Sequence, residues 1–187
     1  MFGSCPHHLD SYLLRNGGQQ DRRAIFIDRD DCLIRDVPRN ADPDRVELAP
    51  MIGDLLLWFQ RLEYWLVIVT NAGAALATGA VTEPQYEAVN ERMLEMFHAR
   101  FGLHFDALYF CPHYDVRSED SSPLLPWNVD QCHCRKPRPG MILAGARDMG
   151  LDLSQSWMIG DKESDMQAGR AAGCKTMLID HRLKAGT

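Results

Sequence analysis

Short, mostly apolar runs alternate along this chain with longer stretches whose apolar residues recur every three or four positions. The short runs are Ala24–Ile27, Trp65–Val69, Ala107–Phe110, Ser156–Ile159 and Lys175–Ile179. Runs this short predict strands, and Trp65–Val69, β-branched and apolar, a buried one. Between them, Met51–Leu62 reads as a helix with Leu55, Leu56, Trp58, Phe59 and Leu62 as its apolar positions. A second helix starts at Thr82-Glu83-Pro84-Gln85, with Thr82 as N-cap and Gln85 three residues on. It carries Val89, Met93, Met96 and Phe97, reaches about Arg100, and meets a glycine at Gly102. Pro139–Met149 has proline in its first turn and Gly150 beyond its end, and Glu163–Ala172 is the last helix. Strands that alternate with helices predict an α/β fold, a doubly wound parallel sheet covered on both faces.

The remaining segments are loops. Residues 35–47 are rich in Pro and Asp, Asn71–Val81 is built of small residues, and 111–135 is a long irregular insert. Residues 1–22 are polar, contain Gly17-Gly18-Gln19-Gln20 and read as a flexible tail, in which Cys5-Pro6-His7-His8 is a weak metal pattern. One domain is expected over 23–187. A net charge of −6 and a pI near 5.6 argue against nucleic acid or an acidic membrane as partner, but leave room for a small phosphorylated metabolite. No apolar run approaches the ~20 residues of a membrane span, and the N-terminus lacks a signal-peptide pattern. The expected setting is the cytoplasm. No heptad or apolar surface stripe stands out, so a monomer is expected.

Chemistry concentrates at strand ends. Asp28 and Asp30 follow the first apolar run, Thr70-Asn71 closes the second, Lys136 precedes a helix, and Gly160-Asp161 follows a later run. A parallel sheet would bring these positions to one edge, where open α/β folds bind ligands. Asp28 is then a nucleophile that can accept a phosphoryl group, and Asp30 an acid–base that protonates the leaving oxygen and later deprotonates water. Two carboxylates cannot meet a phosphate dianion without a cation between them. Hard oxygen donors suit Mg²⁺, with Asp28, the backbone carbonyl of Asp30 and Asp161 as its ligands. Lys136 supplies a fixed positive charge and Thr70 a hydroxyl for the phosphoryl oxygens.

A second cluster flanks the insert. Cys111-Pro112-His113 and Cys132-His133-Cys134 offer three thiolates and one imidazole, a closed set suited to structural Zn²⁺. Cys111, His113, Cys132 and Cys134 are the expected ligands. His133, between two cysteines, points away.

Phe26-Ile27-Asp28-Arg29-Asp30, Val69-Thr70-Asn71, Cys134-Arg135-Lys136-Pro137 and Gly160-Asp161-Lys162-Glu163-Ser164-Asp165 resemble the four motifs of the haloacid dehalogenase (HAD) superfamily of aspartate-nucleophile phosphatases. The resemblance covers about residues 24–180. It is strongest to the branch that contains heptose 1,7-bisphosphate 7-phosphatase and the histidinol-phosphatase domain, whose zinc loop has the same Cys-Pro-His and Cys-x-Cys-Arg-Lys-Pro pattern. It implies a Rossmann-like HAD fold without a large cap, and a zinc-stapled loop forming the pocket rim. It also implies that Asn71, Arg135 and Lys162 contact substrate, and that Asp165 holds Lys162 or a water on the metal. Four departures lie at the substrate end: Asp31 where relatives have glycine, Cys32 for Thr or Val, the stretch Ala72-Gly73-Ala74-Ala75, and Thr78 about where relatives carry Arg. The expected substrate is heptose 1,7-bisphosphate or another sugar phosphate. Histidinol phosphate, or a catalytically weak phosphate-binding scaffold, are the alternatives.

Overall fold

The computed structural model describes residues 22–37, 40–114 and 132–179. The predicted tail with its Cys5-His7-His8 pattern, and most of the insert, lie outside the described residues.

All four residues of β1 (Ala24–Ile27) are buried because the strand lies in mid-sheet. Beside it run β2 (Trp65–Asn71) and β4 (Trp157–Gly160), with β3 (Ala107–Cys111) and β5 (Lys175–Leu178) outermost. The order is β3-β2-β1-β4-β5 and every pairing is parallel. The chain builds outward through β2 and β3, then returns to start again at β4. The crevice between β1 and β4 is therefore the point where connections part to opposite faces, the position at which such sheets bind ligands.

Side chains alternate across this sheet into two cores. Ile25, Ile27, Leu66, Ile68, Leu108 and Phe110 face one side. There they meet α1 (Ile52–Arg61) and α3 (Glu83–Phe101) through Ile52, Leu56, Phe59, Val89, Met93 and Phe97. Phe26, Val67, Val69, Tyr109 and Met158 face the other side. They pack on Met141, Ile142 and Ala144 of α4 (Gly140–Met149) and Ala168 of α5 (Glu163–Ala172). Each large apolar side chain so buried contributes about 1.5–3 kcal/mol.

The predicted α/β doubly wound sheet is the observed one, with end points shifted by one or two residues. Two details differ. On α1, Trp58 is 55% exposed, and Leu62, just past its end, 42%, because only the side carrying Ile52, Leu56 and Phe59 meets the sheet. The loop after β2 contains one helical turn, α2 (Gly73–Leu76). At α3 the backbone amide and hydroxyl of Thr82 both donate to Gln85 Oε1, at 3.0 and 2.9 Å, and Gly102 takes the left-handed conformation at the helix end (φ 67°). No described helix is long and apolar enough to cross a membrane.

Candidate active site

Four chain segments deliver charge to the carboxyl edge of the sheet. Asp28 leaves β1, its amide donating to Ile159 O of β4 at 3.0 Å. Its Oδ1 accepts from the Arg29 amide at 2.7 Å and pairs with Lys136 Nζ at 2.8 Å. Lys136 also pairs with Asp165 Oδ1 at 2.7 Å and donates to Val69 O at 2.9 Å. Asp28, Lys136 and Asp165 are all buried. Burial alone would drive Lys136 toward the neutral amine. The two carboxylates outweigh it and raise its pKa above the ordinary value, so the site holds a permanent ammonium.

Asp165 comes from the first turn of α5, where its Oδ2 also accepts from the Lys162 amide at 3.0 Å. This approach requires Gly160: a Cβ there would lie 2.3 Å from Asp165 Cβ. Asp165 thus holds the ammonium of Lys136 and only the backbone of Lys162. The Lys162 side chain lies at 3.4 Å from Asp161 Oδ2.

Carboxylate oxygens of Asp28, Asp161 and Asp165 all lie within 4.8 Å of one another. Burial first, and then the neighbouring Asp28 and Asp165, raise the pKa of Asp161 against the pull of Lys162. Three carboxylates against one buried ammonium leave an excess of negative charge, and the donors are hard oxygens. A divalent oxygen-binding cation fits this set. The thiol of Cys32, buried behind it, faces Asp161 Oδ1 at 3.9 Å, and burial and the surrounding carboxylates push it far up in pKa.

Thr70 is fully buried at the end of β2, and its hydroxyl has no hydrogen-bond partner among the described residues. Next to it, Asn71 spends both ends of its amide on the backbone of Lys136, with Nδ2 to the carbonyl at 3.1 Å and Oδ1 from the amide at 3.0 Å. The amide locks the loop that presents the lysine. Asp30 lies outside the three-carboxylate group. Its carboxylate meets the Arg29 guanidinium, with Nε to Oδ1 at 2.9 Å and Nη2 to Oδ2 at 3.1 Å.

Asp31 has φ 57°, the left-handed conformation that favours glycine. Aspartate tolerates it better than most residues, and Asp31 Oδ1 is occupied by the Asp36 amide at 3.0 Å. Thr78 is likewise turned to its own backbone, donating to Ala74 O at 2.8 Å.

The Cys/His cluster sits on the same edge. Cys111, His113, Cys132 and Cys134 are all buried, and their three sulfurs and His113 Nδ1 form a closed set with every separation between 2.9 and 3.5 Å. Hydrogen bonds from Cys111 and Cys134 hold Cys132 strongly toward its thiolate. All four cysteine and histidine side chains turn their donor atoms toward one point. Four soft donors so gathered fit a tetrahedral metal. The exposed side chain of His133 is not among them. The cluster also fixes the rim: Arg135 Nη1 donates to His113 O at 3.2 Å and its guanidinium lies 5.6 Å from the Tyr114 ring centroid. Gly73 admits the loop after β2 against this backbone, since a Cβ there would come within 2.0 Å of His113 O.

Arg29, Tyr86 and Asn90 lie at this site without having been predicted to. The only signal for Arg29 was a cation between two aspartates, and Tyr86 and Asn90 sit inside an apolar helical pattern.

The family model for HAD-hydrolase-like proteins matches residues 133–181. A D-glycero-beta-D-manno-heptose-1,7-bisphosphate 7-phosphatase of Haemophilus ducreyi is 32% identical over 166 residues, 89% of this chain and 87% of that protein. The Escherichia coli K12 protein of the same name is 33% identical over 83% of this chain and 78% of its own length. Among solved structures, a D,D-heptose 1,7-bisphosphate phosphatase from B. bronchiseptica, complexed with magnesium and phosphate, superposes with a TM-score of 0.69 at 29% identity, covering 83% of this chain and 79% of that one. Shared fold and this level of identity along most of the chain lead to one conclusion: the protein belongs to the HAD-like hydrolase family and is one of its phosphatases.

Proposed function

We propose that the protein removes one phosphoryl group from a sugar bisphosphate, heptose 1,7-bisphosphate in first place, by way of an aspartyl phosphate on Asp28. The observation that carries the chemistry is the Asp28–Lys136–Asp165 ion triad at the crevice between β1 and β4. Lys136 stabilises the charge that develops on the transferred phosphoryl oxygens, and Thr70, a buried hydroxyl, offers them a hydrogen bond. Asn71 acts by holding Lys136 in place. Asp30 protonates the sugar oxygen as the P–O bond breaks, then takes a proton from the water that releases phosphate. Asp28, Asp161 and the backbone carbonyl of Asp30 would hold Mg²⁺, with Asp165 beside them. When bound, the ion offsets the repulsion between the carboxylates and the phosphate dianion.

The substrate assignment rests on the named relatives together with the rim. With Thr78 turned to its own backbone, Arg135 and Lys162 are the cations placed to meet the sugar or its second phosphate. Asp31 adopts the conformation of the glycine it replaces, and its carboxylate is engaged by Asp36, which favours an active enzyme over a weakened scaffold. We place the enzyme in the cytoplasm as a monomer. The test is Mg²⁺-dependent phosphate release from both anomers of heptose 1,7-bisphosphate, histidinol phosphate, fructose 1,6-bisphosphate and an aryl phosphate. Release from a heptose anomer at least ~100-fold more efficient than from the others, about 2.7 kcal/mol of discrimination, is expected. Preference for histidinol phosphate would replace the sugar assignment.

We further propose that the Cys/His cluster binds structural Zn²⁺ and sets the position of Arg135. Protein purified under reducing conditions is expected to contain about one zinc per chain by elemental analysis. Cys132→Ser is expected to lose most of it and to melt roughly 10 °C lower, as loss of a few kcal/mol implies for a chain of this size. Reduced wild-type protein free of zinc would end this proposal.

A further inference from the structure

α3 lies outside the four motifs, yet it reaches the site with two polar residues. Tyr86 and Asn90 are one turn apart, so they share a face. That face is the core-facing one, otherwise made of Val89, Met93 and Phe97. Tyr86 and Asn90 are themselves 2% and 5% exposed. Polar groups buried in an apolar row call for a partner. Both face Arg29: its Nη1 donates to Asn90 Oδ1 at 2.8 Å, and its guanidinium lies over the Tyr86 ring, 4.5 Å from the centroid. Both contacts leave Nε and Nη2 free to form the fork on Asp30. Arg29 is itself buried, and so cannot swing away into water.

A fork-shaped donor fixes a carboxylate in both direction and plane. Whatever fixes the guanidinium therefore fixes Asp30. We infer that Asn90 and Tyr86 are positioning residues, which hold Arg29 and through it aim the Asp30 carboxylate at the leaving oxygen. The inference rests on the acid–base role proposed for Asp30. It extends the site from the strand ends to the helix between β2 and β3.

The experiment exploits the leaving group. An aryl phosphate departs as a weakly basic phenoxide and needs little help from an acid in the first step. An alkyl phosphate departs as an alkoxide and needs the proton. Hydrolysis of the aspartyl phosphate needs Asp30 as base in either case. Asn90→Leu, which deletes the acceptor at similar volume, is compared with Asn90→Asp, which keeps it. Both are assayed as full-length protein with Mg²⁺ by rapid mixing, using p-nitrophenyl phosphate and heptose 1,7-bisphosphate. Tyr86→Leu and Tyr86→Phe form a second pair in case Asn90→Leu does not fold.

Asn90→Leu is expected to slow the first turnover of the sugar phosphate at least ~10-fold, part of the 10²–10⁴ available from proton transfer. The aryl ester is expected to give a burst near one equivalent, within about threefold of the wild-type rate, followed by slow turnover. Asn90→Asp and Tyr86→Phe should restore the sugar-phosphate rate. Equal slowing of both esters, or no slowing of either, would overturn the inference. Asp30→Asn in the same assay separates the two levels. If it shows the ester-dependent pattern and the α3 variants do not, only the positioning role fails. If it treats both esters alike, the acid–base reading fails and the positioning role with it.

Discussion

Asp28→Asn is expected to lower phosphate release by on the order of 10⁴-fold or more, because the proposed mechanism forms its acyl phosphate on the Asp28 carboxylate, which the amide replaces with a far weaker nucleophile. The amide keeps the oxygen that accepts from the Arg29 amide and from Lys136. It also removes one of three carboxylates crowded within 4.8 Å. The fold should therefore survive, with a melting temperature within about 3 °C of wild type or above it. Phosphate release measured alongside a thermal melt checks both halves. Turnover retained within tenfold would remove Asp28 from the nucleophile role. A collapsed melt would mean that its hydrogen bonds, rather than its charge, hold the strand end.

Lys136→Met is expected to have the second-largest effect, and on two observables. Methionine keeps the length and most of the volume of the stem but strands Asp28 and Asp165 as buried charges without a counter-ion. Breaking a buried pair from one side costs about 3–5 kcal/mol, so the melting temperature should fall by roughly 10 °C. Turnover should fall by about 10²–10³-fold, the scale for removing one fixed stabiliser of transition-state charge. Adding Asp165→Asn to Lys136→Met separates the two. The double variant should regain much of the lost stability, since one stranded carboxylate is gone, while its turnover stays low. Recovery of turnover in the double variant would show that Lys136 serves only to neutralise Asp165.

The spacing of the Cys/His cluster was readable because each half is a local pattern. Cys111 and His113, and likewise Cys132 and Cys134, stand one residue apart. Such spacing survives any arrangement of the rest of the chain. That both halves meet depends on the end of β3 and the turn before α4 lying on one edge, which follows from the parallel order. The same logic placed Asp28, Thr70 and Asp161 together: each ends or follows a strand, and a parallel sheet has all such ends on one side.

The partners of these residues were not readable. Lys136 and Asp165 are nearly thirty residues apart, Asn71 and the Lys136 backbone sixty-five, Arg29 and Asn90 sixty-one. Each contact depends on how segments distant in the chain pack at the sheet edge, and no local pattern encodes that. Asp31 makes the point at a single residue. The sequence marked only a departure from glycine, and the structure showed a left-handed turn with the carboxylate spent on the Asp36 amide.

What the sequence by itself determined is the kind of fold, the order of the reactive groups along it, and the chemistry each group can perform. Hydrophobic period and residue type are local properties, and the rules that convert them into strands and helices act over a few residues. The tertiary structure decided which charge neutralises which, that the Asp30 carboxylate meets Arg29, and that α3 reaches Arg29 through Asn90 and Tyr86. Those are outcomes of packing between segments distant in the chain, where one buried partner more or less costs several kcal/mol and selects a single arrangement.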